Sequence, residues 1–306
     1  MDNILDNINN IIEKIARDLS CVALAKQEGW WLLEKLTSKT KSQLISEENI
    51  SLDDSQQKKL ALWIKQRTED QKPLQYILGT VPFCDLEIIV KPPILIPRPE
   101  TEEWCSWLIG ELEVVKDEKI KILDLGVGSG CIALALAKAL PYSTVIGVDV
   151  DDKAIALSEQ NKSHNNISNA IFIKSNLYQE LLQHQNSFDL IVSNPPYISY
   201  DEYEGLSKQV TEWESKEALV AGEQGFSIHK KIITDANKFL KPNSILALNN
   251  LPRIVLEFGK GQALGIKEIF EHFGFTNTRV YKDMENTERW LASLTTPVRP
   301  ETVRPE

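Results

Sequence analysis

A chain of 306 residues, 42% hydrophobic and 25% charged, is long enough for about two domains with buried cores, and its composition excludes collagen, coiled-coil and disordered classes for most of its length. Its 34 Lys and Arg against 44 Asp and Glu leave a net charge of -10, which repels a polyanion and speaks against nucleic acid as a partner. The cysteines Cys21, Cys84, Cys105 and Cys131 form no C-x-x-C pair, which argues against a zinc site or disulfide framework and fits a reducing cytoplasm.

The first residues carry Asp2, Asp6 and Glu13 where a signal peptide would be basic and then apolar, so neither secretion nor membrane insertion is expected. Residues 1–72 read as a small helical domain without strand pattern: Ile4, Ile8, Ile11, Ile12 and Ile15 recur on one stripe. Trp30, Trp31, Leu32, Leu33 and Leu36 are expected to extend its core, and Ser51 to cap a helix running through about Gln66.

Residues 73–102 read as a β-hairpin and proline-rich connector, with β-like runs at Gln75-Tyr76-Ile77-Leu78-Gly79 and Leu86-Glu87-Ile88-Ile89-Val90. The connector ends in Ile96-Pro97-Arg98-Pro99-Glu100-Thr101-Glu102, stiffened by its prolines.

Residues 103–295 alternate strands and helices. Strands are expected at 120–125, 144–149, 170–174, 188–193 and 254–258, and helices at 131–140, 152–161, 227–240 and 263–273. Such alternation predicts an α/β fold with a doubly wound, mainly parallel sheet, closed by an antiparallel edge hairpin at 276–281 and 289–294. The tail, residues 296–306, repeats Val-Arg-Pro-Glu and is expected to be disordered.

Three motifs carry chemistry. Asp124-Leu125-Gly126-Val127-Gly128-Ser129-Gly130 follows a strand and precedes an apolar helix, as a nucleotide-binding loop does. Its G-x-G-x-G spacing departs from the dinucleotide pattern and weakens a dehydrogenase reading. Asp149 ends the next strand, where a carboxylate can accept from both hydroxyls of a ribose or act as a helix cap. Ser193-Asn194-Pro195-Pro196-Tyr197 leaves a buried strand. The Asn194 side-chain oxygen and the Pro195 carbonyl are acceptors suited to a planar amino group, and Tyr197 offers a flat face for stacking.

Together these residues resemble class I S-adenosylmethionine-dependent methyltransferases with an N-P-P-Y loop. With the 75–79 and 96–102 segments in the same order, the chain resembles the HemK/PrmC family over about residues 20–295. The resemblance implies a Rossmann-like catalytic domain behind a helical substrate-recognition domain. It implies methyl transfer from S-adenosylmethionine to the side-chain nitrogen of the glutamine in the Gly-Gly-Gln motif of peptide chain release factors.

Carried over by position, Gly126, Val127, Gly128, Ser129 and Gly130 line the methionine part of the cofactor and Asp149 holds its ribose. Asn176 and Leu177 border the adenine, and Asn194, Pro195, Pro196 and Tyr197 grip the substrate amide, with Asn194 also beside the cofactor. No metal is implied. Two departures stand out: Asn176 replaces the family's usual Asp, and residues 241–253 exceed its short Lys-Pro-Gly-Gly turn. Rival expectations are glutamine methylation of a ribosomal protein, amino methylation of a flipped-out base and cofactor binding without catalysis. Cytoplasmic location is expected; oligomeric state is open, with a monomer as the working expectation.

Overall fold

The computed structural model describes residues 6–19, 24–47, 49–222 and 224–295. The expected disordered tail, Ile4 and Cys21 lie outside the described residues. The chain forms two compact units: the described residues up to Thr80 with Ser207–Trp213, and Val81–Leu206 with the described residues from Glu214 onward.

In the first unit, a two-residue strand β1 (Asp6–Asn7) pairs with β2 (Asn49–Ile50), a feature the helical periodicity does not predict. The helices are α1 (Ile8–Asp18), α2 (Ala25–Thr37), α3 (Lys41–Ser46), α4 (Asp54–Thr68) and α5 (Leu74–Leu78). Ile8, Ile12 and Ile15 of α1 pack with Trp30, Leu32, Leu33 and Leu36 of α2 and with Leu60 and Trp63 of α4. Trp31 departs from the expected core and is 40% exposed, because one residue's step of about 100° turns it away from the Trp30 face. A buried bidentate ion pair joins α2 to α4: Arg67 Nε and Nη2 donate to Glu28 Oε2 and Oε1 at 2.7 and 2.8 Å.

Two local expectations change here. Asp53, not Ser51, caps α4: its carboxylate accepts from Gln56 N–H while Gln56 Oε1 accepts from Asp53 N–H, closing a reciprocal box. The run at 75–79 is the helix α5 rather than a strand. A short apolar run fits either period, and Gly79, at φ 83°, ends the helix instead of turning a strand.

From Val81 the second unit holds the hairpin of β3 (Thr80–Phe83, its first residue counted in the first unit) and β4 (Leu86–Ile89), then α6 (Pro99–Leu112). There follow β5 (Lys121–Leu125), α7 (Cys131–Ala139), β6 (Thr144–Asp149), α8 (Asp152–His164), β7 (Ala170–Lys174) and β8 (Leu190–Ser193). After α9 (Tyr200–Glu204) and α10 (Lys208–Thr211, in the first unit) come α11 (Ser227–Phe239), α12 (Ile245–Leu248), β9 (Ile254–Glu257), α13 (Ala263–His272), β10 (Thr278–Lys282) and β11 (Glu288–Ser293).

The main sheet has the order β10-β11-β9-β8-β5-β6-β7. Its β9-β8-β5-β6-β7 portion is parallel, and β11 runs antiparallel to both β9 and β10. The α/β class, the mainly parallel sheet and the edge hairpin are all present. Among the described residues no helix is long and apolar enough to cross a membrane.

The long 241–253 segment is built into the sheet's amino edge, opposite the strand ends that carry the motifs. Ser244 caps α12 and donates to Asp189 Oδ1 at 2.7 Å, and Leu246 is buried. Arg253, fully buried, donates from Nε to the Asp189 carbonyl and from Nη2 to the Lys241 carbonyl, each at 2.7 Å. The next strand therefore enters in register, Ile254 beside Ile191.

Gly147 in β6 couples sheet to loop, since a Cβ there would stand 2.7 Å from both the Phe172 ring and Val127 Cγ2. Gly147→Ala is expected to cost about 1–3 kcal/mol by overpacking. Urea denaturation would measure it, and an unchanged midpoint would mean that the loop is not wedged against this strand.

Candidate active site

The carboxyl ends of four neighbouring strands meet at one cavity of about 520 Å³. Gly126 and Gly128 follow β5, Asp149 ends β6, Asn176 and Leu177 follow β7, and Asn194, Pro195 and Pro196 follow β8; all line it. The place follows from topology. The chain leaves β5 through α7 to β6 on one side, while β8 lies on the other, and such a reversal opens a crevice at the carboxyl edge of the sheet.

Val127, Ser129, Gly130 and Tyr197, the rest of the expected set, do not line this cavity. Val127 packs against Gly147, Ser129 is buried, and Gly130 begins α7 at φ 86°. Gly126 and Gly128 adopt φ 75° and 55°, a region that favours glycine. The loop is pinned from α8, where Ser158 Oγ donates to the Gly128 carbonyl at 3.0 Å and Asn161 Nδ2 to the Ser129 carbonyl at 2.8 Å.

Asp149 accepts from Gly128 N–H at Oδ2 (2.9 Å) and from Asp151 N–H at Oδ1 (3.0 Å). With Val150 N–H also pulling on the carboxyl, these backbone donors orient it and leave lone-pair capacity for a ligand's hydroxyl. Burial pushes its carboxyl up, against the pull of those hydrogen bonds. Asp124 is more deeply enclosed: Oδ2 accepts from Ala133 N–H at 3.1 Å, and Oδ1 is buried without a hydrogen-bond partner. Burial pushes its carboxyl up to about 7.

The loop after β8 is clamped at several points. Ser193 Oγ donates to the Leu125 carbonyl at 2.6 Å, and Gln262 Nε2 donates to the Tyr197 carbonyl at 2.8 Å. Asn194 Nδ2 donates to Thr101 Oγ1 at 3.0 Å, which leaves Oδ1 as the acceptor on a residue of the cavity wall. The Tyr197 hydroxyl faces Glu257 Oε1 at 3.4 Å, and burial pushes its pKa up, so it stays protonated.

Several wall residues escaped sequence reasoning: Ile94, Leu95, Ser215, Glu217 and Ala218. Their segments are tied together by Ser215 N–H to the Pro93 carbonyl at 2.8 Å and by Arg98 Nη2 to the buried Glu214 Oε2 at 2.5 Å. Arg98 stood out only as part of a stiff connector, and no spacing rule points to a partner so distant in the chain. None of His164, His184, His229 and His272 lines the cavity. His229 is buried and donates from Nε2 to the Glu257 carbonyl at 2.8 Å, and burial lowers its pKa to about 4, so it is neutral.

The family model described as PrmC N-terminal domain matches residues 11–79, and the one described as methyltransferase small domain matches residues 106–221. The release factor glutamine methyltransferase of Thermodesulfovibrio yellowstonii is 33% identical over 93% of this chain and 95% of that protein. That of Flavobacterium psychrophilum is 36% identical over 85% of this chain and 88% of that protein. The chain belongs to the release factor glutamine methyltransferase family.

A solved structure, the hMettl16 catalytic domain in complex with MAT2A 3′UTR hairpin 6, aligns with a TM-score of 0.52 at 19% identity, covering 81% of this chain and 84% of that one. It bears on the fold alone: the catalytic unit of this family member is a class I methyltransferase fold.

Asp124 gives this family member a pH signature. The native state holds its proton to about 7, whereas an unfolded chain releases it near 4, so the folded state loses stability as pH rises between about 4 and 7. Asp124→Asn removes that penalty. Its melting temperature relative to wild type is expected to be higher at about pH 8.5 than at about pH 5. An equal difference at both pH values would show that Asp124 is ionised in the fold.

Proposed function

We propose that this chain transfers a methyl group from S-adenosylmethionine to the side-chain amide nitrogen of the glutamine in the Gly-Gly-Gln motif of peptide chain release factors. Besides family membership, one observation carries this reading. Asn194 is anchored through its amino group, so a cavity-lining residue keeps its carbonyl oxygen for a substrate N–H.

The cavity's residues fit the cofactor. Asp149, on the cavity wall and oriented by backbone donors, would accept from the ribose hydroxyls, and the glycine loop has no side chains at Gly126 and Gly128 to keep a ligand from its backbone. Asn176 would meet the adenine amino group through its side-chain oxygen, a neutral acceptor where the family resemblance implies a carboxylate. When bound, S-adenosylmethionine supplies an electrophilic methyl on a sulfonium.

An amide nitrogen is a poor nucleophile because its lone pair is delocalised into the carbonyl. Asn194 Oδ1 and the Pro195 carbonyl would accept its two N–H bonds, hold it in position and stabilise the positive charge that grows on nitrogen. The neutral, buried His229 is no base for this step, and the proton leaves to water after transfer. The helical unit up to Thr80 would engage the release factor, in the cytoplasm, with the enzyme acting as a monomer.

Incubation with S-adenosylmethionine and an unmodified release factor, followed by digestion and mass spectrometry, should place one added methyl on the Gly-Gly-Gln glutamine. Asn194→Ala should lower the rate about 100- to 1000-fold while titrated cofactor affinity stays near wild type. A near wild-type rate would remove Asn194 from the mechanism. Asp149→Ala should instead weaken cofactor binding about 10- to 100-fold. Unchanged affinity would refute the ribose assignment, and cofactor binding without methylated glutamine would redirect the search to ribosomal-protein or nucleic-acid acceptors.

A further inference from the structure

We propose that Thr101 and Glu257 are positioning residues that set which end of the Asn194 amide faces the substrate. This rests on the reading of Asn194 as the acceptor for a glutamine amide. A primary amide is nearly symmetric in shape. Rotated by half a turn, Asn194 would present an amino group to the substrate's amino group, and two sets of donors would face each other.

The hydrogen-bond polarity behind the loop decides between the two orientations. Trp104 Nε1, which can only donate, reaches Glu257 Oε2 at 2.7 Å, so that oxygen is an acceptor. The same oxygen stands 2.7 Å from Thr101 Oγ1 and takes its only proton. With that proton committed, Thr101 can only accept from Asn194, and the group 3.0 Å away is therefore the amino end.

Burial raises the Glu257 pKa. The two donors at Oε2, Thr101 and Trp104, pull the other way and favour the ionised carboxylate, which accepts both bonds.

The relay is rigid because rigid elements carry it. Thr101 and Trp104 lie in the first turns of α6, one above the other on the same face. Glu257 ends β9, Asn194 directly follows β8, and the two strands are paired through Ser193 and Leu256. Thr101, Trp104 and Glu257 are each at most 2% exposed, so water does not compete for these bonds.

The test compares wild type, Thr101→Val and Thr101→Ser. Valine keeps the shape and loses the hydroxyl, whereas serine keeps the hydroxyl. Thr101→Val should lower the turnover number for the release factor about 100-fold with cofactor KM unchanged, and Thr101→Ser should restore most of the rate. A Thr101→Val enzyme at wild-type turnover, or a Thr101→Ser enzyme as slow as Thr101→Val, would overturn the relay.

A second readout needs neither substrate nor a folded valine variant. In protein labelled with 15N-asparagine, the Asn194 side-chain amide, assigned by its loss in Asn194→Asp, should exchange slowly with solvent in wild type. Fast exchange there would overturn the relay. Slow exchange in a wild-type enzyme that leaves the release factor unmodified would sustain the relay and refute the substrate.

Discussion

Glu257 is a buried carboxylate that receives Thr101 and Trp104 at one oxygen and faces Tyr197 at the other, so one side chain gathers α6, the end of β9 and the loop after β8. Removing such a group from water is costly, and the cost is offset only because hydrogen bonds replace those lost to solvent. The site inherits this demand. The proline-bounded start of α6, the Asn194-to-Tyr197 loop and the Gly259-to-Gln262 turn all hold positions that keep these bonds made, and Gln262 closes the arrangement by holding both the Gly259 N–H and the Tyr197 carbonyl.

Opposite this hub, the glycine loop is held by polar residues of α8 and by Asp149 rather than by apolar packing alone. That arrangement suits a loop that must leave its backbone open to a ligand, because each clamp attaches to a carbonyl or N–H and fills no space above it. Burial raises the pKa of Asp124, Asp149 and Glu257, all at the carboxyl edge of the sheet. Under the proposed reading this acidic edge also receives a cationic cofactor, which would lower the cost of keeping carboxylates there.

Much of this was legible in the chain. The strands 144–149 and 170–174 were predicted to the residue, because β-branched runs bounded by polar turns have few other readings. The run at 75–79 is ambiguous in sequence, since its apolar residues fit a helix or a strand and only their packing in the first unit chooses the helix over the expected strand. Asn194, Asp149, Gly126 and Gly128 were visible as motif residues and do line the cavity. Thr101 lay inside a segment read as a connector, and Glu257 inside a strand pattern, so neither carried a local signal of its partner.

The chain by itself determined the alternation of strands and helices, the places where strands end in glycine, carboxylate or Asn-Pro-Pro, and hence the class of fold and site. These are local properties, written in periodicity and turn chemistry over a few residues. Only the tertiary structure decided which end of Asn194 is free, that burial pushes the Asp124 carboxyl up to about 7, and that Arg98 meets Glu214. Those outcomes depend on burial and on contacts between residues far apart in the chain, and a carboxylate or an amide has no fixed polarity or pKa until its neighbours are in place.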